Sequence, residues 1–390
     1  MKKKLFVILC LSVLIFSFPV YAEQDADEKT RQELSEGVAE TLNSLDLKEL
    51  EELFNESGFS GKELLPTLKE LASGSGEGFT ANDFFTVLKN AFFYALKTKL
   101  ATGIEIVLVF MLLSVLKNLA AEKFGGAARA AFYAGYAIAC VLALSIMYKT
   151  VATVKGALSE MSQINETLTP LLYALLTGMG SGRISSVMNP LMSALTGSVF
   201  AIVQKAVFPA VLIMTAIAMA DNISEQIDLS GFYNAGLKAV KWFLGIVSIV
   251  FIAFMTVKGM SGAALDGIYF KTAKYTVEQM IPVVGGMFSD TFDTVMSCGL
   301  ITANAIGGVA TAILAAKLAV PIMSVTADML IFKAAGAAVL PLGHKNSSKM
   351  LFASGNMAEL LNITLLICSL MSFISLCLLI GSINISFMMR

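Results

Sequence analysis

Lys205, Asp221, Lys317, Asp328 and Lys333 stand in or beside long apolar runs. A charge at the centre of a membrane span costs about 2.5–3.5 kcal/mol on insertion scales. Such residues pair with one another, face a cavity or snorkel to the interface. Lys317 and Asp328 are eleven positions apart, about three turns at 3.6 residues per turn, so one helix puts both on one face. Pro321 lies between them and Pro209 follows Lys205 by four positions. A proline inside a helix removes a backbone donor and permits a break. Lys205, Pro209, Lys317, Pro321 and Asp328 are therefore candidates for a polar passage or a helix break, with snorkelling at helix ends as the simpler account. Ala303, Gly307, Thr311 and Ala315 recur every four residues, as do Gly308, Ala312 and Ala316. Small faces let helix backbones approach closely in lipid, so this stripe reads as helix packing, with a pore-lining face as the alternative.

No constellation in the chain has the form of a catalytic, cofactor or metal site. Gly178-Met-Gly-Ser-Gly182-Arg183 has glycines like a phosphate loop, but it lacks the preceding strand and the Lys-Ser/Thr ending, and it reads as a turn. The sole histidine, His344, has no acid or nucleophile beside it. Cys10, Cys140, Cys298, Cys368 and Cys377 form no CxxC or Cys/His cluster and read as small apolar side chains. Asp221 and Asp328 are the one pair an intramembrane protease could use, and their flanking sequence gives that no support. A basic face for nucleic acid is absent.

Composition fixes the surroundings of these residues. Of 390 residues, 56% are hydrophobic and 15% charged, against roughly 25% charged in a soluble domain. With a mean hydropathy of +0.75, the apolar excess must face lipid. Residues 1–22 read as a signal peptide: Lys2–Lys4 precede an apolar Leu5–Phe18 stretch, and Val20-Tyr-Ala22 suits cleavage before Glu23. A retained anchor is the alternative. Sixteen of the 29 acidic residues, but six of the 28 basic ones, lie between Glu23 and Asn90. Residues 23–80 thus read as an exported acidic helical arm, with Leu42, Leu45, Leu50, Leu53 and Phe54 on short amphipathic helices and a Gly/Ser break at 73–78. Thr80 and Asp83 form a cap signature for an interfacial helix over 81–100.

Residues 101–390 read as a multi-pass transmembrane domain. Clear spans lie near 101–119, 130–148, 239–257 and 358–380. Further stretches near 184–203, 205–220, 294–316 and 318–341 contain or adjoin prolines, which makes half-helices or re-entrant pieces an expectation. Lys117, Lys123 and Arg129 suit a cytoplasmic turn, as do His344, Lys345 and Lys349, whereas Asp221, Glu225 and Asp228 suit an outside one. Thr153-Val-Lys-Gly156 recurs as Thr256-Val-Lys-Gly259, and Lys205-x-x-x-Pro209 as Lys317-x-x-x-Pro321. That order suggests repeats over about 126–235 and 236–350, an architecture used by transporters and pores. The fold class is therefore all-α: a polytopic helical integral membrane protein with a small exported helical N-terminal region.

The stretches MADNISEQIDLSGF, TVKGMSGAALDGI and AAGAAVLPLG, together with the leader, the acidic arm and the polytopic body, resemble the stage III sporulation protein AE family of endospore-forming bacteria. The likeness runs from about Glu33 to Ile385. It implies a multi-pass protein of the mother-cell membrane around the forespore, part of a channel or secretion-like complex. Other stage III sporulation A membrane proteins and a forespore-side partner are implied, and the complex supports late forespore gene expression. The resemblance implies neither catalytic residues nor a cofactor, and self-association into a homo-oligomer is compatible with it. A stand-alone secondary transporter of a small solute is the alternative reading, suggested by the repeat and the intramembrane charges.

Overall fold

The computed structural model describes residues 28–59, 62–73, 81–122, 125–178, 185–221, 229–280, 284–342 and 345–388. The expected signal peptide, residues 74–80 of the glycine-rich break and cap, residues 179–183, Pro282 and His344 lie outside them. The described residues form nine α-helices and no strand: α1 Glu28–Ser44, α2 Lys48–Glu56, α3 Leu64–Ser73, α4 Ala81–Glu122, α5 Gly125–Gly178, α6 Ser185–Ala220, α7 Ser230–Met280, α8 Val284–Val339 and α9 Lys345–Met388.

The first three helices follow from leucine spacing. On α2, Leu50, Leu53 and Phe54 fall on one buried face, and Glu49 and Glu51 occupy the first turn, where the helix dipole favours acids. Gly58, at φ +86°, ends the helix in a left-handed conformation that glycine adopts without strain. Leu64 and Leu68 of α3 and Leu42 of α1 are buried with them. These helices dock on the body: α1 and α3 lie against α8, and α2 against α5. A methyl group at Gly37 would come within 2.6 Å of Cys298 Sγ on α8. Thr167 on α5 donates to Glu49 on α2 at 3.2 Å.

The six long helices pack around α8 and α9. α9 touches α5, α6, α7 and α8; α8 also touches α4 and α5. Contacts fix their directions. Cys140 of α5 meets Met350 of α9 at 3.8 Å and Asn165 meets Ser372 at 2.9 Å, so these two helices run the same way. Gly336 of α8 accepts from Ser348 of α9, and Thr326 accepts from Asn362, so those two run oppositely. Five helices hold stretches long and apolar enough to cross a membrane: Ala130–Leu175, Ala194–Ala220, Ser230–Val257, Ser297–Val339 and Ser347–Gly381. These contain the expected spans 130–148, 239–257 and 358–380. The fourth clear candidate, 101–119, lies within α4, whose side chains beyond Leu113 are not described.

Two expectations change. Residues 185–203 and 205–220 belong to one helix, α6, and residues 294–316 and 318–339 to another, α8; neither breaks at Pro209 or Pro321. A proline inside a helix forfeits one backbone bond, a local cost of ~3 kcal/mol. Packing along Ser297–Val339 of α8, the most enclosed of the five stretches, offsets that loss. Pro341 sits in the 3-10 turn Leu340–Leu342 beyond the end of α8. The second correction concerns sidedness. Tyr136 on α5 donates to Met219 at the end of α6 at 3.0 Å, and its hydroxyl lies 3.4 Å from Met350 near the start of α9. Asp221 and Lys345 therefore share one end of the bundle. Acidic residues misled the sidedness reading because orientation follows Lys and Arg and takes little from Asp and Glu.

The repeated motifs keep their order but not their depth. The two TVKG segments start at similar distances from the openings of their own helices, at Thr153 in a helix that opens at Gly125 and at Thr256 in one that opens at Ser230. The lysines do not match in this way. Lys205 lies far closer to the start of α6 at Ser185 than Lys317 does to the start of α8 at Val284. We assign no internal symmetry on that basis.

Gly307 of α8 faces Ile380 of α9, whose Cδ1 would stand 2.5 Å from an added methyl group, whereas nothing lies within 4 Å of one at Gly156 on α5. Gly307→Leu is expected to cost about 1–3 kcal/mol by overpacking, and Gly156→Ala to leave the melting temperature unchanged or raise it. Thermal unfolding in detergent, followed by size-exclusion chromatography, reads both.

Candidate functional site

The polar chemistry of the body concentrates on α8. Asp328 is buried, at 3% exposure. Its Oδ2 accepts from Lys99 Nζ of α4 at 2.5 Å. Thr150 Oγ1 of α5 lies 2.8 Å from the same oxygen. Lys99 also donates to the Ser324 carbonyl at 3.4 Å. One carboxylate thus ties three helices together. Its geometry is that of a charge-assisted hydrogen bond, stronger than a neutral one. Removing one partner of such a pair strands a charge in low dielectric.

Five positions further along α8, Lys333 pairs with Glu359 of α9 at 2.5 Å, both partly buried. Two positions before Asp328, Thr326 accepts from Asn362 of α9 at 2.8 Å. α8 therefore presents an anion to α4 and a cation to α9, and its intramembrane charges cancel locally.

Lys317 and Asp328 share α8 but not a partner. Lys317 reaches Glu56 at the end of α2 at 2.6 Å. The hydrogen bond from Lys317, and next its positive charge, hold the exposed Glu56 carboxyl below its ordinary 4.5. Lys205 and Pro209 lie on the exposed face of α6, and Pro321 is half-buried on α8. In the small-residue stripe, Ala303 is fully buried and Gly307 packs against Ile380, while Thr311 and Ala315 are half-buried. Gly308 faces Leu71 of α3. Among the described residues, no group of three or more His, Cys, Asp or Glu side chains could hold a metal ion.

Lys99, Thr150, Glu359 and Glu56 escaped the sequence reading. Lys99 lies 229 positions from its partner, so no local pattern joins the two. The signal available was charge balance: each intramembrane charge requires an opposite one, and Glu359 interrupts an apolar run as plainly as Asp328 does.

Lys99→Met or Asp328→Leu alone is expected to lower stability by about 3–5 kcal/mol, and the double variant to regain most of that loss. Thermal unfolding of the four proteins in nanodiscs gives the cycle. At the Lys317 contact, the folded-state pKa of Glu56 is depressed, so its contribution to arm docking is full above about pH 4.5. It is lost as pH falls below 4.5 through the folded value. A spin-label pair at exposed Glu40 and Asn304 should hold one distance from pH 7 to 5 and broaden below 4.5, with Glu56→Gln removing that contribution to the pH response.

A family model described as stage III sporulation protein AE matches residues 63–382. Stage III sporulation protein AE of Bacillus subtilis (strain 168) is 28% identical over 396 aligned positions, covering 98% of each chain. No solved structure matches. The family match takes in α3, all of α4 to α8 and most of α9, and with them Lys99, Thr150, Lys317, Asp328, Lys333 and Glu359. On that match, this multi-pass, sporulation-related membrane protein belongs to the stage III sporulation protein AE family.

Proposed function

We propose that the chain is a membrane subunit of a channel or secretion-like complex joining mother cell and forespore. It sits in the mother-cell membrane around the forespore, beside other stage III sporulation A proteins and a forespore-side partner. Residues 1–22 direct the arm across the membrane and are removed, and residues 23–80 occupy the space between the two membranes. The complex supports late forespore gene expression. Family membership supports the sporulation setting.

The observation that favours a building block over a stand-alone carrier is the pairing of charge on α8. Asp328, Lys333 and Lys317 each meet an opposite charge from another helix of the same chain. Carriers build midplane sites from discontinuous helices that turn charge toward substrate; α8 runs unbroken through this region. Asp328 and Lys317 then act as fasteners of α4, α5 and the arm. Lys205 and Pro209, on the open face of α6, are the members of the set positioned to meet a neighbouring subunit or a passage. No catalytic role is assigned.

In a sporulating host, loss of the chain is expected to abolish a late forespore reporter. The tagged chain should copurify with other stage III sporulation A proteins from detergent-solubilised membranes. Solute uptake by vesicles holding this purified chain alone, abolished by Asp328→Asn or Lys317→Gln, would instead establish a transporter.

A further inference from the structure

The two sides of the body differ at matched depth. On α5, the exposed side chains from residue 130 to residue 148 carry no charge: Tyr133, Ile138, Val141 and Tyr148 are each more than half exposed, with Ser145 among them. From residue 149 the same open face turns polar, with Lys149, Lys155, Ser159, Glu160, Gln163 and Glu166 exposed. On the other flank, α7 shows Trp242, Ile246, Ile249, Val250 and Ile252.

These stretches lie at the same level. α5 and α7 both run parallel to α9. Asn165 of α5 meets Ser372 of α9, and Tyr233 of α7 meets the Ala353 carbonyl. Ser372 stands as far beyond Ala353 on α9 as Ile252 stands beyond Tyr233 on α7, so Ile252 is level with Ser372 and Asn165. Residues 149–166 of α5 thus stand level with residues 236–253 of α7, which open on the exposed Lys238 and the half-buried Lys241 and from Trp242 present the apolar stripe. Lys205 of α6 stands at the same level. Met219 of α6 meets Tyr136 of α5, and Lys205 precedes Met219 by the same interval as Thr150 follows Tyr136, so Lys205 lies level with Thr150. It too is exposed.

Lipid can cover the α7 stripe. It cannot cover the α5 face at that depth without leaving Lys149, Lys155, Glu160 and Lys205 in hydrocarbon, where exposed charge is strongly disfavoured. Irregular or polar surface at membrane depth is tolerated where it lines water or is buried in protein. We propose that the open face of α5 from Lys149 to Glu166, with Lys205 of α6, lines an aqueous passage inside the assembled complex, while α7 faces lipid. This rests on the reading of the chain as a subunit of such a complex and names its water-facing wall. The docked arm borders that wall, since Glu49 of α2 meets Thr167 of α5 one residue past Glu166.

Single cysteines at Ser159, Gln163, Ile246 and Ile249, placed in the full chain with the native cysteines as baseline, test the assignment in membranes of sporulating cells. The probe is a membrane-impermeant sulfonated maleimide. Positions 159 and 163 are expected to label at least about ten-fold faster than 246 and 249, which should match the wild-type baseline. Rapid labelling at all four positions would mean that this level stands outside the bilayer as a stalk, and would overturn the proposal. Protection of 159 and 163 would overturn it as well. The late forespore reporter, read in the same strains, separates the two claims: intact expression with 159 and 163 protected removes the passage and leaves the sporulation role standing.

Discussion

A carboxylate enclosed by apolar helices must be neutralised or it will not stay enclosed, and Asp328 is the point where the body meets that requirement. Lys99 brings α4 to it and Thr150 brings α5. Apolar side chains alone would not select that arrangement, because lipid tails solvate a leucine about as well as another leucine does. The gain from helix association in a bilayer comes from close packing and polar contacts. The structure supplies both on α8: Gly307 lies against Ile380, and the pairs at Asp328 and Lys333 fix which helices become neighbours.

The lengths of the helices explain the arm. α8 has 56 residues, about 84 Å at 1.5 Å per residue, against ~30 Å of hydrocarbon. Much of its apolar surface therefore needs a cover other than lipid. α9 covers one side. Toward the start of α8, α1 and α3 cover another, with Cys298 against Gly37 and Gly308 against Leu71. Lys317 then pins the arm through Glu56. The acidic character of the arm and the lysine on α8 are complementary parts of one contact.

The existence and type of the helices were legible in the sequence because apolar run length and leucine spacing are local properties. So was the family resemblance, which the match over residues 63–382 bears out. Partnership was not legible. Lys317 and Asp328 share a helix at regular spacing, yet the choice of Glu56 and Lys99 depends on which helices lie alongside, and those are far away in sequence. The prolines failed as break signals for the same reason: a local rule was overridden by contacts with neighbouring helices. Asp221 and Lys345 read as opposite ends of the bundle, whereas Tyr136 places the end of α6 at Met219 beside the start of α9 at Met350.

The most direct measurement is the separation between Lys99 Nζ and the Asp328 carboxyl carbon in the full chain in lipid nanodiscs, by nitrogen–carbon dipolar recoupling in solid-state NMR. The account predicts a strong through-space coupling, as expected of an ammonium in direct contact with the carboxylate. Coupling of Asp328 to a different lysine, or a Lys99 ammonium with no carboxyl carbon in contact, would contradict it.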